Sequence, residues 1–224
     1  MAELRVDPRV IYEFVIRAGA RLDAQNKTVC SAIMILYRLY KRTIMDSVCN
    51  YTMAAAALMI SSKYEEDNSI GIRDIVNATY RILHPNEERM TVGALQWDIR
   101  QGITRLEFVL LRELNFNLEF EHPFKILALY LDQLRSWVAE DFEREQIASI
   151  ATAICRDLYA APDVIVNSSP ESLAITCISI SLKYKNIEVP HCRNWYEVLH
   201  KTMTKHKLQR LTERIMVDVY KANV

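Results

Sequence analysis

The sequence predicts an all-α protein made of two tandem five-helix units. Glycine is scarce, with four in 224 residues, where average usage would give about 16. Apolar residues recur at helical spacing along most of the chain, and one pattern of helices occurs twice. Tight turns and phosphate-binding loops depend on glycine. The composition therefore favours helices with short connections.

The first half of the chain predicts five helices. The first follows Pro8, and its apolar residues fall on one helical face. The others are predicted at about residues 27–43, 50–66, 72–83 and 92–114. The third has no polar face over residues 53–60, which include four consecutive alanines, so we expect other helices to surround it. Residues 116–120 alternate like a strand, but a single strand forms no sheet, and we predict an extended connection.

The second half repeats the pattern of the first. Its helices are predicted at about residues 124–138, 142–160 and 170–184, with two more after Arg193. The dipeptide Leu39-Tyr40 recurs as Leu158-Tyr159, and residues 60–64 recur as residues 180–184, at offsets of 119 and 120. We therefore predict two domains, residues 1–121 and 122–224.

Charge and cysteine content narrow the functional classes. Lys and Arg number 28 and balance 28 Asp and Glu, whereas nucleic-acid-binding domains are usually basic. The five cysteines are widely spaced and form no C-x-x-C pair, which favours a reducing compartment. Neither a secretory signal nor a long apolar stretch is apparent. We expect a soluble intracellular protein, nuclear, cytoplasmic or both.

No catalytic or metal-binding motif is present. The sequence lacks the patterns of P-loops, dinucleotide-binding loops, nucleophile elbows and H-E-x-x-H metal sites. His191, Cys192 and His200 come nearest to a metal cluster but supply fewer than the four ligands of structural zinc. The acidic pairs at residues 65–66 and 87–88 are interpreted as solvated helix caps. We expect no catalytic residue, no cofactor and no metal.

Lys63 stands at the end of the most apolar helix and is followed by Tyr64 and two acids. A rigid helix that carries charged groups to the surface suits recognition of a partner. A Lys in the last turn also interacts favourably with the helix C-terminal carbonyls. From the residues alone, both interpretations stay open.

Two segments resemble the cyclin family. Residues 54–66, AAAALMISSKYEE, resemble the third helix of the cyclin box, and residues 106–118, LEFVLLRELNFNL, resemble its fifth helix. They occur in the family's order, and the duplicated five-helix unit is similar to the tandem cyclin fold. Residues 36–40 are similar to the transcription-associated branch, and residues 9–19 lack the docking motif of cell-cycle cyclins.

The resemblance implies a regulatory subunit that activates a cyclin-dependent Ser/Thr kinase, in a heterodimer, and has no enzyme activity of its own. Cyclin-dependent kinase ten is the favoured partner. The first domain is implied to bind the kinase, with Lys63 and Glu107 bonding to the segment at the kinase's C-helix. The other residues implied to bind the kinase are Ile60, Tyr64, Glu66, Leu111, Phe116 and Leu118, all but Glu66 as parts of an apolar pocket.

Two other functions remain as alternatives. The core of transcription factor IIB is also a pair of cyclin folds, so an adaptor that binds DNA or the transcription machinery is one. The zero net charge argues against DNA binding. A plain helical scaffold is the other, and it would require Lys63 and Glu107 to lie far apart.

Overall fold

The structure is a computed structural model that describes residues 6–42, 48–88, 90–189 and 194–221. The chain divides into two compact units, Met1–Phe120 and Glu121–Val224. The described residues are helical or irregular, and none of them forms a strand. The predicted all-α class is thus confirmed.

The described residues of the first unit form five α-helices, of which the third lies among the other four. They are α1 (Pro8–Leu22), α2 (Asn26–Tyr40), α3 (Asn50–Tyr64), α4 (Ile72–Leu83) and α5 (Ala94–Glu113). Helix α3 packs against each of the others, and its alanines 54–57 are buried. Small side chains on all sides allow neighbouring helices to approach closely, as the apolar run predicts.

Glycine is required at one such approach in this unit. A Cβ on Gly19 of α1 would lie 2.3 Å from Cγ2 of Val29 on α2. Any larger residue would therefore require the Val29 side chain or the two helices to shift. Helix α1 itself begins at Pro8, which is compatible with a first helical position. Asp7 caps it by accepting a hydrogen bond from the Arg9 amide at 3.0 Å.

The second unit contains more and shorter helices than predicted. They are α6 (Phe124–Arg135), α7 (Ala139–Arg144), α8 (Ile147–Asp157), α9 (Pro162–Val166), α10 (Pro170–Tyr184), α11 (Trp195–Leu199) and α12 (Lys205–Asp218), with a 3₁₀ turn at Leu158–Ala160. The single helix predicted at about 142–160 is broken because Gln146 has a left-handed backbone, with φ of 54°. Helix α10 packs against α6, α8 and α12 and is the counterpart of α3.

Among the described cysteines, Cys30, Cys155 and Cys177 are buried and Cys49 is exposed. Cys192 lies outside the described residues. Within the described ranges, no helix combines the length and apolarity needed to cross a bilayer.

Candidate functional site

A bidentate ion pair joins the ends of α3 and α5. The Lys63 ammonium donates to both carboxylate oxygens of Glu107, at 2.8 and 3.0 Å. The Glu107 side chain is only 8% exposed, whereas that of Lys63 is 59% exposed. Helices α3 and α5 pack side by side, so the pair fixes a buried carboxylate beneath an ammonium that faces solvent. The plain-scaffold alternative required Lys63 and Glu107 to lie far apart, and this condition is not met.

The pair keeps capacity for a further ligand. An ammonium has three N–H donors, and two of those on Lys63 are used within the pair. Each carboxylate oxygen of Glu107 accepts one bond from Lys63 and has a second lone pair. The pair therefore offers one charged donor and further acceptor positions to a polar group of a partner, such as a backbone amide or carbonyl.

The apolar residues of the predicted site differ in how far solvent reaches them. Ile60 is 4% exposed, while Tyr64, one turn further along α3, is 44% exposed. Phe116 is 68% exposed, and Leu111 and Leu118 are half-buried. Tyr64 and Phe116 are therefore accessible from solvent, whereas Ile60 lies in the core. Glu66 is exposed.

Left-handed turns end both α3 and α5. After α3, the Asp67 amide donates to the Ser62 carbonyl at 2.8 Å, and Glu66 has φ of 56°. After α5, the Phe116 amide donates to the Leu111 carbonyl at 2.8 Å, with Asn115 at φ of 51°. Both are Schellman-type helix ends. The first turn lies three residues after Lys63 and the second eight residues after Glu107.

Arg38 holds the extended segment after α5. Its guanidinium donates to the carbonyls of Asn117 at 3.1 Å and Glu119 at 2.8 Å. The same group lies 3.9 Å from the ring centroid of Phe120. Leu118 lies between Asn117 and Glu119, whose carbonyls both bind Arg38 of α2, so its backbone is held in place. This role of Arg38 does not follow from the sequence pattern, because the two segments are about 80 residues apart and nothing in the spacing links them.

The acidic residues after α3 have structural roles. Glu65 accepts a hydrogen bond from the Ser31 hydroxyl at 2.6 Å and pairs with Lys27, and its side chain is 2% exposed. The prediction of a solvated cap is therefore wrong for Glu65. Burial of Glu65 is possible because α2 supplies both a cation and a hydroxyl. Glu66, by contrast, is solvent-exposed.

Asp67 caps α2 from a distance. Its carboxylate accepts hydrogen bonds from the Gln25 amide at 2.9 Å, the Thr28 hydroxyl at 2.9 Å and the Ser69 hydroxyl at 2.8 Å. Burial opposes ionisation of Asp67, but the Gln25 amide and the two hydroxyls outweigh it, so the pKa of Asp67 is lowered. Sequence reasoning missed Asp67, which directly follows the left-handed residue Glu66 and bonds to Gln25 and Thr28 about 40 positions away.

Two of the three residues that come nearest to a metal cluster lie outside the described residues. His191 and Cys192 lie outside the described ranges, and His200 bonds to the Thr202 hydroxyl at 2.8 Å. No group of three or more potential ligands occurs in the part of the chain that the structure describes.

Two family models match the chain. The model "Cyclin, N-terminal domain" matches residues 7–119. The model "Cyclin-T2-like, C-terminal domain" matches residues 141–217. The first match covers all five helices of the first unit, and the second covers α8 to α11 and nearly all of α12.

Curated relatives are cyclins of the T and L types. The chain is 24% identical to cyclin-T1 of Mus musculus, covering 88% of this chain and 27% of the relative. It is 26% identical to cyclin-L2 of Mus musculus over 91% of this chain and 38% of the relative. For cyclin-L1 of Gallus gallus, the identity is 26%, over 91% of this chain and 37% of the relative. The chain thus spans between about a quarter and two fifths of these relatives' length.

Solved structures share the fold. One is the yeast RNA Pol II CTD kinase CTDK-1 complex, with a TM-score of 0.64, 14% identity, and coverage of 96% of this chain and 66% of that one. Another is the CAK complex of Chaetomium thermophilum bound to ATP-gamma-S, with a TM-score of 0.65, 19% identity, and coverage of 96% and 62%. A cyclin model over half of the chain, a second over most of the other unit and this shared fold identify the chain as a member of the cyclin family.

Proposed function

We propose that this chain is the regulatory, activating subunit of a cyclin-dependent Ser/Thr kinase. In this proposal the first domain, residues 1–121, binds the kinase, and the chain carries out no chemistry itself. The proposal is supported by membership of the cyclin family and by relatives of the T and L types.

The Lys63–Glu107 pair is the observation that carries the proposal. Two residues 44 positions apart in sequence meet at 2.8 Å, with the carboxylate buried and the ammonium exposed. A charge-assisted hydrogen bond from such a pair is strong and directional. Because Glu107 fixes the ammonium, Lys63 is pre-organised and loses little side-chain freedom when it binds a partner.

Apolar side chains lie next to the pair in sequence and supply contact area. Tyr64 follows Lys63 directly, and Leu111 lies one helical turn after Glu107. Exposed aromatic residues with half-buried aliphatic neighbours suit an aliphatic anchor from a partner helix. In the proposal, Phe116 and Leu118 close this surface on one side, Ile60 supports it from the core, and Glu66 stands at its polar edge.

Activation follows from selective binding of one kinase conformation. Kinase activity requires a Glu of the C-helix to pair with the Lys that binds ATP. A regulatory subunit that binds the inward position of that helix more tightly shifts the population towards the active state. The chain needs no nucleotide site for this role.

We further propose the cyclin-Q type, with cyclin-dependent kinase ten as partner and a nuclear or cytoplasmic location. The similarity rests on residues 72–77 and 120–127, on Trp195, and on Thr43 and residues 188–190. Thr43 and Pro190 lie outside the described residues.

Co-purification tests both levels of the proposal. The tagged chain should recover a cyclin-dependent kinase, identified by mass spectrometry, together with Ser/Thr kinase activity. The double variant Lys63→Ala/Glu107→Ala should lose at least about 99% of that activity, since losing a fixed charged pair costs roughly 3 kcal/mol or more.

Lys183→Ala is the matched control, because Lys183 holds the equivalent place in the second copy of the repeat. It should leave recovery unchanged. Undiminished activity with the double variant would refute the assigned site. Recovery of a different cyclin-dependent kinase would refute only the choice of partner, and preferential recovery of DNA would favour the adaptor alternative.

A further inference from the structure

The first unit carries a second concave surface that is rich in arginine. A cavity of about 760 Å³ opens between the end of α1, the segment before α4 and one face of α4. Among the described residues, its lining includes Arg21, Arg73 and Arg81 but only one carboxylate, that of Asp74. None of the residues proposed above to bind a kinase lines this cavity. We call it the arginine cleft.

Helical spacing places the α4 side of the cleft in a single row. Arg73, Asn77 and Arg81 are four residues apart and so lie on one face of α4. Because each step of four residues rises about 6 Å, the two arginines stand about 12 Å apart along the helix. Arg21, in the last turn of α1, supplies a third guanidinium from another helix.

Nearby acidic groups leave two of these arginines without a counterion. One oxygen of Asp74 is engaged by the Gly71 amide at 3.0 Å, which caps the start of α4. Glu87 accepts from the Tyr80 hydroxyl and contacts Nδ1 of His84. Neither Arg21 nor Arg73 forms an ion pair with a residue in the described ranges, and both are exposed.

Arg81 is held differently from the other two. Its guanidinium donates to the main-chain oxygen of Glu87, which fixes the side chain at the end of the row. A guanidinium has five N–H donors, so Arg81 retains donors for a ligand while its position is set. The cleft therefore combines one pre-positioned arginine with two that have no competing partner.

From this arrangement we propose that the arginine cleft binds a phosphorylated side chain of a protein partner. Guanidinium groups match the phosphate group bidentately, and arginine clusters are a recurrent way to recognise phosphorylated peptides. Three phosphate oxygens accept bonds from more than one arginine, whereas a carboxylate has only two oxygens. Asn77 also lines the cleft and adds a neutral amide donor, whereas the hydroxyls of Ser69 and Tyr80 already donate to Asp67 and Glu87.

Charge distribution favours a single phosphate over a nucleic-acid strand. A nucleic acid carries regularly spaced phosphates and needs an extended basic track. This chain has no net charge, and Asp74 and Glu87 flank the arginines of the cleft. An extended polyanion would meet these acids, whereas a single phosphorylated side chain needs only the arginines. This site is independent of the proposed kinase contact.

Fluorescence anisotropy with the full chain tests the proposal. The probe is a labelled peptide pool with a central phosphoserine between mixed residues; the comparison probes are the same pool with serine or glutamate at the centre, and a single-stranded RNA. The phosphoserine pool should bind at least about tenfold more tightly than the serine pool, because a charged hydrogen bond contributes roughly 1.5 kcal/mol or more.

Two charge-reversal variants locate the binding. Arg73→Glu and, separately, Arg21→Glu should each weaken binding of the phosphoserine pool at least about tenfold, since each replaces an attractive contact by a repulsive one. Neither arginine has a structural partner among the described residues, so both variants should keep the wild-type circular dichroism spectrum. Arg105→Glu, at an exposed position on α5, is the matched control and should leave binding unchanged.

Several results would overturn the proposal. Equal affinity for the phosphoserine and serine pools would do so, as would an equal loss with Arg105→Glu. Tighter binding of the RNA would assign the cleft to nucleic acid instead. Complete competition by inorganic phosphate at the concentration of the peptide would indicate a non-selective anion site.

The double variant Lys63→Ala/Glu107→Ala should leave the affinity for the phosphoserine pool unchanged.

Discussion

The two copies of the Lys-Tyr motif share a backbone and differ in what they attach to. The first copy covers residues 60–67 at the end of α3, and the second covers residues 180–187 at the end of α10. In the second copy, the Ile187 amide donates to the Leu182 carbonyl at 3.0 Å, and Asn186 has φ of 53°. This is the same Schellman-type end as in the first copy.

The residue after the tyrosine forms an ion pair with a neighbouring segment in both copies. It is an acid, Glu65, in the first copy and a base, Lys185, in the second. In the first copy, Glu65 pairs with Lys27 near the start of α2. In the second, Lys185 pairs with Glu145, just before α8, at 3.1 Å. Each copy therefore places an ion pair at this position, and the sign of the charge is reversed between them.

The two copies differ in the ion pairing of the lysine that precedes the tyrosine. Lys63 is fixed by the buried Glu107 at 2.8 Å, whereas Lys183 forms no ion pair with any residue in the described ranges. A fixed ammonium suits recognition, and an unanchored one must lose side-chain freedom on binding. The comparison supports the first unit as the recognition unit.

Removing the exposed tyrosines should give the largest contrast between the copies. Tyr64→Ala should weaken kinase binding about 10- to 100-fold, because an aromatic residue at the centre of an interface contributes roughly 2 kcal/mol. Tyr184→Ala removes a ring that is 72% exposed, more than that of Tyr64, from the second copy and should change the affinity less than about twofold. Isothermal titration calorimetry with the purified kinase measures both; equal losses would remove the distinction between the copies.

Replacing Asp67 should give the next largest effect. It should lower the free energy of unfolding, and only the first copy has this residue. Its pKa is lowered in the folded state, so its ionised form stabilises the fold above the unfolded pKa of about 3.9, and this contribution disappears as pH falls through the folded pKa. Asp67→Asn should cost about 2 kcal/mol at pH 7.

Urea unfolding of wild type and Asp67→Asn across pH measures this difference. It should be constant near neutrality and shrink below about pH 4. The second copy carries Ile187 at the equivalent place, so Ile187→Val should show no such pH dependence. A difference for Asp67→Asn that stays constant down to pH 2 would contradict the role assigned to its charge.

Exchanging the left-handed residues should give the smallest effect. Glu66 has φ of 56° where the second copy has Asn186, and Asn tolerates this backbone better than Glu. Glu66→Asn should raise the free energy of unfolding by about 0.5–1 kcal/mol, and Asn186→Glu should lower it by a similar amount. Thermal unfolding followed by circular dichroism measures both; two changes of the same sign would contradict this explanation.

Much of the fold follows from the sequence because apolar periodicity reports on helices directly. The predicted bounds of α4 coincide with the structure, and α3 is buried on all sides as its alanines imply. The break at Gln146 was missed because a non-glycine residue in the left-handed region leaves no sequence signal. Within the site, Lys63 and Glu107 were predicted through a family resemblance, and no periodicity links α3 to α5.

The contacts that sequence reasoning missed are long-range and polar. Arg38, Glu65 and Asp67 each bond to a segment more than 30 residues away. A hydrogen bond between distant segments depends on the packing of both helices, so it is visible only once the helices are in place. In contrast, the spacing of apolar residues along a single helix predicts which of its residues are buried.

Hydrogen–deuterium exchange of the kinase-bound and free chain tests the central claim most directly, because it reads both copies of the motif in one experiment. We predict that binding slows exchange at the amides of residues 64–66 and 115–118 in the first unit and leaves residues 184–187 of the second unit unchanged. Slowed exchange at residues 184–187 with no change at residues 64–66 and 115–118 would contradict the assignment of the first unit as the kinase-binding unit.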